Sequence, residues 1–571
     1  MSYVISIIGK KNLLLFLAIL IFNTFQIILD ILSIGLILPI LTAIVNQEII
    51  FEQKYFFILY QIINSTDPND FLKKLLLFLF FLYSIKILLT IFFKFLHIRY
   101  QNNLIKYLSL KIISNYLSMD YYFFLKNKNS KLISSLYNEC KAFVEWYISP
   151  LIIILSELIF VILLVTFLSF VDFKSTFAIV VAFGFFGFIF LNLTRRKIGA
   201  WGKDRSRLSE KIIHNLNQIF DGIKLIKIFQ KENYFINLFK KDQSKVLSSL
   251  SKNDFISFLP RVFLEYLIVI ILITILFFNL NNTEAIINLI PIVGLYAAAT
   301  FKLMPSVTKI MISYQNLKFG SPAVQTMFSE TQIISNENNK LNSENLITDF
   351  QEINFKNINF SYDKNKKKII NNLNFKLLKG EFIGLIGETG SGKTTFLNII
   401  LGLLSPISGS ILIDGKDFTK NYHLTKKIFS LSGQENFLFD DTILQNITLE
   451  NDEKKIDWNK FEEIKKMSEI ENMIYQLENK EKSFVGENGL FVSGGQKQRI
   501  SLARALYQDN KIIVLDEITS NLDEDTEEKI LTNLIKLKGK KTIIFVTHNK
   551  TLLKICDKIY KMKNQNINLS E

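Results

Sequence analysis

The sequence predicts two parts of different chemistry: an α-helical membrane domain of six spans over residues 1–330, then, after a linker at 331–349, an α/β domain over 350–571. Three observations carry this. The mean hydropathy of +0.25, with 49% hydrophobic residues and 52 Phe, is too apolar for an ordinary soluble chain, and the apolar excess sits before about residue 330. Six runs in that part, near 13–45, 71–96, 147–171, 176–194, 255–279 and 285–312, approach or exceed the ~20 residues a helix needs to cross a bilayer. Downstream, short runs of alternating apolar residues lead into a glycine-rich loop followed by an apolar helical run, the alternation of an α/β sheet.

The loops between the runs alternate in charge. Residues 46–70 hold Lys54 as their only cation, whereas 97–141 holds Arg99, Lys106, Lys111, Lys126, Lys128, Lys131 and Lys141, and the 195–252 loop opens with Arg195, Arg196 and Lys197. By the positive-inside rule the two basic loops, the N-terminus and everything after 312 face the cytoplasm. No small-residue cleavage site follows the first span, which reads as an uncleaved anchor. The net charge of +15 is met by basic loops facing anionic lipid, and no nucleic-acid partner is expected. Cys140 and Cys556 lie too far apart in sequence for a ligand cluster and read as small hydrophobes.

Both basic loops have helical periodicity, as in Ile212 to Gln230; solvated hairpins fit that periodicity equally, and helices extended below the membrane are favoured as a means of touching a cytoplasmic domain. The polar segment Ser335 to Asn345 lacks periodicity and reads as linker. Ile49 to Ile63, on the outer side, is apolar enough for a surface helix, or for an extension of the first span or packing between subunits.

In the second part a strand, Phe382 to Gly387, runs into Glu388, Thr389, Gly390, Ser391, Gly392, Lys393, Thr394 and Thr395, then an apolar helical run. That is the context of a phosphate-binding loop: successive backbone N–H groups and a helix N-terminus face phosphate oxygens, Lys393 reaches the β- and γ-phosphates, and the Thr394 hydroxyl can bind Mg2+. A second apolar strand ends in Asp516 and Glu517, where a parallel sheet presents ligands. Asp516 suits Mg2+ and Glu517 suits a general base for an attacking water. Gln434, Asp523 and His548 are single polar residues at strand ends; alone, each reads equally as a turn or cap.

The ordered set of phosphate loop, Gln434, Val492-Ser493-Gly494-Gly495-Gln496, Leu515-Asp516-Glu517, Asp523 and His548 resembles the nucleotide-binding domain of the ATP-binding cassette family over about 350–571. With six preceding spans it resembles a half-transporter of the exporter branch, with type IV exporter architecture. The resemblance implies ATP and Mg2+ as cofactors and a second copy of the chain as partner. It implies Tyr362 on adenine, Gln434 sensing Mg2+ and the membrane domain, Asp523 in the ATP site and His548 at the γ-phosphate. Ser493, Gly494, Gly495 and Gln496 would grip ATP held by the second copy. Val492 stands where the family usually has Leu, and Asn549 where Arg is common.

Within the spans Lys86, Arg261 and Lys302 each lie about 15–18 residues from the outer end, roughly 22–27 Å deep at 1.5 Å per residue. Cations at such depth face a cavity or a partner, which suggests a belt for an anionic head group; pairing of Arg261 with Glu265, and the acids Asp30 and Glu157, offer internal neutralisation instead. The segments Asp30 to Leu41, Phe258 to Tyr266 and Phe301 to Leu317 resemble those of bacterial lipid-linked oligosaccharide flippases. That resemblance implies pyrophosphate contacts from Lys86, Arg261 and Lys302, a polyprenyl-pyrophosphate glycan as substrate, and the bacterial inner membrane as location.

Overall fold

The computed structural model describes residues 2–35, 60, 67–171, 173–279, 303–332, 347, 349–363, 368–434, 436–547, 549–563 and 565–570. The Asp30 side chain, Lys302, His548 and most of the 49–63 segment and of the linker lie outside them. The chain divides into one unit of 1–119 and 124–338 and a second of 120–123 and 339–571.

The first unit is helical. Its long elements are Lys10–Gly35, Pro68–Leu117, Ser149–Val171, Phe173–Asp221, Glu232–Asn279 and residues 303–319. Among the described residues three helical stretches, Lys10–Leu29, Asn69–Leu117 and Asn129–Phe170, are long and apolar enough to cross a membrane. The fourth and fifth expected spans lie inside the Phe173–Asp221 and Glu232–Asn279 helices. Pro68–Leu117 has 50 residues, about 75 Å of helix against a ~30 Å hydrocarbon core, so a span and its polar continuation form one rod. The continuation stays helical because it keeps a packing stripe at four-residue spacing: Tyr100, Leu104, Leu108, Ile112 and Tyr116 are all buried. The run from Ile212 to Gln230 is not one helix. It breaks between Asp221 and Ile223 at Gly222, the weakest helix former available short of proline.

Two π-helical turns, Ser135–Glu139 and Val144–Ile148, flank Cys140–Phe143. They frame a close joint. The buried Arg205 guanidinium meets Glu139 Oε2 at 3.0 Å and lies over the Trp146 ring at 4.6 Å. Trp146 and Phe319 meet edge to face at 5.0 Å between centroids. Backbones touch here: a Cβ on Gly202 would fall 2.2 Å from the Phe319 carbonyl oxygen, and one on Gly320 would fall 2.8 Å from that of Trp146.

The second unit has two sheets. A four-stranded antiparallel sheet has the order β2-β1-β4-β5, from β1 Glu352–Phe360, β2 Ile370–Leu378, β4 Ser408–Ile413 and β5 Lys416–Asp417. A six-stranded sheet has the order β10-β9-β3-β8-β7-β6, from β3 Phe382–Gly387, β6 Phe429–Ser432, β7 Ile512–Asp516, β8 Thr542–Val546, β9 Lys558–Lys563 and β10 Asn566–Ser570. Its pairings are parallel except β9 with β10. β3, β7 and β8 are near-continuous buried apolar runs, as strands covered on both faces must be. Phe396, on the Lys393–Ile400 helix, packs against Phe375 at 5.2 Å and Phe355 at 6.2 Å, so the antiparallel sheet backs the helix that starts the phosphate loop.

The joint yields a test with an internal control. Gly202→Ala forces backbone to move and is expected to cost about 1–3 kcal/mol, lowering Tm in detergent. Gly199→Ala, three residues away with nothing within 4 Å of its Cβ, is expected to leave Tm unchanged or raise it slightly.

Candidate nucleotide site

Strand register assembles the site. Leu385 of β3, Val546 of β8 and Asp516 of β7 pair in one row, and Ser432 of β6 pairs with Leu515. The phosphate loop, Gln434 and the Asp516-Glu517 pair therefore leave the sheet at the same carboxyl edge, where open α/β sheets bind ligands.

In the loop, Gly390 and Gly392 have φ of 80° and 102°, left-handed values that let the backbone curl and open the Lys393–Ile400 helix. Gly387 is packed so that a Cβ would lie 2.7 Å from the Met562 carbonyl oxygen. The Lys393 ammonium donates to the carbonyl oxygens of Gly387 and, at 3.2 Å, Glu388, folding back over the loop it serves. Ser391 Oγ is buried with no hydrogen-bond partner, and Thr394 is exposed at the helix start. An orphaned hydroxyl, inward-curled amides and a lysine held over them fit a polyphosphate. Tyr362 adjoins the loop: its hydroxyl lies 3.2 Å from Thr395 Oγ1 and its ring stands edge-on to Phe360 at 5.1 Å. Tyr122 donates to the Tyr362 carbonyl oxygen at 2.7 Å.

Gln434 Nε2 donates to Glu517 Oε2 at 2.9 Å, joining two residues 83 apart in sequence. Burial, then the neighbouring Glu517 charge, push the Asp516 carboxyl up to about 6, while Lys393 opposes them. A buried carboxyl beside a second acid is a place for a cation. Among the described residues no group of three or more His, Cys, Asp or Glu could hold a metal unaided. Thr394, Asp516 and Gln434 offer oxygen ligands that suit Mg2+ arriving with phosphates.

Glu517 itself has φ of 51°, costly for a residue with a side chain. Both faces of its peptide are held. Its N–H donates to the Val546 carbonyl oxygen at 2.9 Å, and its carbonyl oxygen accepts from Gln498 Nε2 at 3.1 Å. Gln498, 2% exposed, also donates to Ser520 Oγ at 2.9 Å and accepts from Asn521 N–H at 3.2 Å. Sequence reasoning passed over Gln498; the available signal was a glutamine one turn into a helix, between Lys497 and Arg499.

Gln498 belongs to the Gly494–Tyr507 helix, whose start is a full capping box: Ser493 Oγ accepts from the Gln496 N–H at 3.3 Å and Gln496 Oε1 accepts from the Ser493 N–H at 2.8 Å. The helix sits tightly on the loop after Glu517, since a Cβ on Gly495 would fall 2.7 Å from the Asn521 carbonyl oxygen. Ser493 and Gly494 are exposed. Val492 packs against the cassette's apolar core. Asp523 caps the Glu524–Ile535 helix, and hydrogen bonds from Thr526 hold its carboxyl below the usual range. Asn549 caps Lys550–Lys554 and donates to Glu527 Oε1.

Of the span cations, Arg261 and Lys86 are described and have separate surroundings, while Lys302 lies outside the described residues. Arg261 Nε meets Glu265 Oε1 at 3.0 Å on its own helix, and both side chains are exposed. Lys86 is 8% exposed with its ammonium 4.7 Å from the Tyr83 ring centroid. Glu157 Oε1 pairs with Lys309 at 2.6 Å. Cys140 and Cys556 are free thiols, and burial pushes that of Cys556 up to about 12, as expected of small hydrophobes.

Comparison with known proteins agrees with this geometry. The ABC transporter model matches residues 370–520, and the model of the ABC transporter transmembrane region matches residues 36–285. The chain is 28% identical over 366 residues to an ATP-dependent lipid A-core flippase of Saccharophagus degradans, covering 62% of this chain and 60% of the relative. It is 34% identical over 217 residues to the alpha-hemolysin translocation ATP-binding protein HlyB of Escherichia coli, covering 38% of this chain and 30% of the relative. The chain thus spans less than two thirds of the length of either. A solved bacterial Atm1-family ABC exporter with ATP bound matches at a TM-score of 0.75 and 18% identity, over 98% of this chain and 94% of that one, a likeness of fold. With one model on each unit and the phosphate loop, Gln434 and the Asp516-Glu517 pair gathered on one sheet edge, the chain belongs to the ABC transporter family.

Proposed function

We propose that the protein is an ATP-driven flippase of the bacterial inner membrane, working as a homodimer, that moves a polyprenyl-pyrophosphate-linked glycan from the inner to the outer leaflet. The observation that carries the ATPase part is the Gln434–Glu517 hydrogen bond beside Asp516 and the phosphate loop. Lys393 and the loop amides neutralise phosphate charge, and Tyr362 stacks on adenine. Thr394, Asp516 and Gln434 would hold Mg2+, which would supply charge stabilisation for phosphoryl transfer. Glu517 takes the proton of the attacking water, oriented by Gln434 and by its doubly held peptide. The capped turn at Ser493 suits the γ-phosphate of ATP on a second copy, which makes each site a product of two chains. His548 adds a γ-phosphate contact on this reading.

The substrate assignment rests on Lys86, Arg261 and Lys302 as pyrophosphate contacts. The Arg261–Glu265 pair favours a second reading within the family, export of another lipid, drug or peptide, because a neutralised arginine attracts an anion less. A nucleotide-gated channel or regulator fits less well, since a retained carboxylate after Asp516 serves turnover.

Proteoliposomes carrying a fluorescent undecaprenyl-pyrophosphate oligosaccharide test the proposal. Wild type is expected to translocate it with ATP, and Arg261→Ala and Glu517→Gln are expected not to. Glu517→Gln is expected to bind ATP and lose hydrolysis. Hydrolysis without movement of any pyrophosphate lipid would return the substrate to the second reading.

Gln498→Ala frees the Glu517 peptide and is expected to lower kcat for ATP by about tenfold or more with KM little changed. A general loss of packing would instead lower Tm and raise KM together. Acid is expected to weaken magnesium–nucleotide binding as pH falls through about 6, because Asp516 is anionic above that value and protonated below it. Binding measured in EDTA should be flatter with pH. Glu517→Gln removes the like charge that raises Asp516, so its midpoint should move to lower pH.

A further inference from the structure

Inside the membrane unit a cavity of about 500 Å3 lies among the Lys10–Gly35, Pro68–Leu117 and Ser149–Val171 helices and residues 303–319. It is the size of a small-molecule site. The first three of these helices overlap the stretches apolar enough to span a membrane, where each polar side chain is costly unless it meets a cavity or a partner. Yet they turn polar residues toward a common space. Pro68–Leu117 contributes Thr90, Lys94 and His97 at successive helical turns. Gln26 donates to Thr90 Oγ1 at 3.0 Å, and Glu157 and Lys309 also line the space as an ion pair at 2.6 Å. His97 Nε2 is 3.1 Å from Ser149 Oγ.

The charges do not cancel. Glu157 neutralises Lys309, His97 is not a carboxylate, and among the described residues no acid pairs with Lys94. Among the described residues one positive charge is left on the wall, beside neutral hydrogen-bonding groups, and Phe93 and Phe160 supply apolar surface there. Lys86 and Arg261 do not line this space. We infer that the cavity is a binding site for the phosphate of an amphipathic lipid, with Lys94 as its anion contact and the Glu157–Lys309 pair limiting the site to one uncompensated cation. The inference rests on the reading of the protein as a transporter of a phosphate-bearing lipid. It names a different site within it from the Lys86, Arg261 and Lys302 belt.

A phosphate could come from the transported polyprenyl lipid or from a resident phospholipid, and the test separates them. The full chain is placed in phosphatidylcholine nanodiscs and titrated with radiolabelled farnesyl pyrophosphate. In parallel, the phosphatidylglycerol retained per chain from phosphatidylglycerol-containing nanodiscs is counted by native mass spectrometry. Lys94→Ala is expected to weaken farnesyl pyrophosphate binding about tenfold or more, the scale of one lost charged hydrogen bond, and Lys94→Arg to restore it. Glu157→Gln releases Lys309 and is expected to tighten binding, an effect that loss of folding cannot mimic. If Lys94→Ala binds like wild type while Arg261→Ala is weakened, the cavity site is overturned and the flippase reading stands. If wild type ignores farnesyl pyrophosphate but retains phosphatidylglycerol in a Lys94-dependent way, the cavity stands as a phospholipid site and the polyprenyl reading falls. If neither ligand binds, both fall.

Discussion

The parallel register of β3, β8 and β7 is the constraint on which the cassette depends. Leu385, Val546 and Asp516 share a row, so the phosphate loop two residues past Leu385 and the carboxylates at the end of β7 reach one edge at one height. A slip of a single residue would turn every side chain of a strand to the other face. It is prevented by burial on both sides: Ile383, Leu385, Val514, Leu515, Ile544 and Phe545 are at most 2% exposed. The chemistry at the edge is thus paid for by apolar packing behind it.

Within that frame the Glu517 peptide is held against its own preference. A left-handed φ at a residue with a side chain persists only where surroundings over-determine it. Here the Val546 carbonyl oxygen takes its N–H and Gln498 takes its carbonyl oxygen. The same Gln498 sits one turn into the helix capped by Ser493, and that helix leaves no room for a side chain at Gly495. The exposed turn at Ser493 and the Glu517 peptide are therefore tied to each other through one helix.

The membrane unit follows the opposite logic, because its solvent gives no hydrophobic reward for helix association and penalises each polar group. Its polar residues consequently gather: Glu157 with Lys309, Gln26 with Thr90, His97 with Ser149, Arg261 with Glu265. Farther along the rods the ordinary rules return. The buried stripe from Tyr100 to Tyr116 and the Arg205, Glu139 and Trp146 joint hold helices by close packing and one paired charge.

The sequence by itself determined whatever depends on neighbours along the chain. The phosphate loop, the strand ending in Asp516 and Glu517, the capping box at Ser493 and the Arg261–Glu265 pair are all local, set by spacings of a few residues that backbone geometry converts directly into contacts. Helical continuation of the spans was legible for the same reason, although the break at Gly222 was lost under a strong apolar pattern. Tertiary structure alone decided what joins distant segments: Gln434 with Glu517 across 83 residues, Gln498 with Glu517, Glu157 with Lys309 across 152, and the cavity around Lys94. A glutamine in a helix or a lysine in a span has no local signature that distinguishes a clamp from a cap or a site from a neutralised charge. That difference is fixed by which other helix or strand the fold lays beside it.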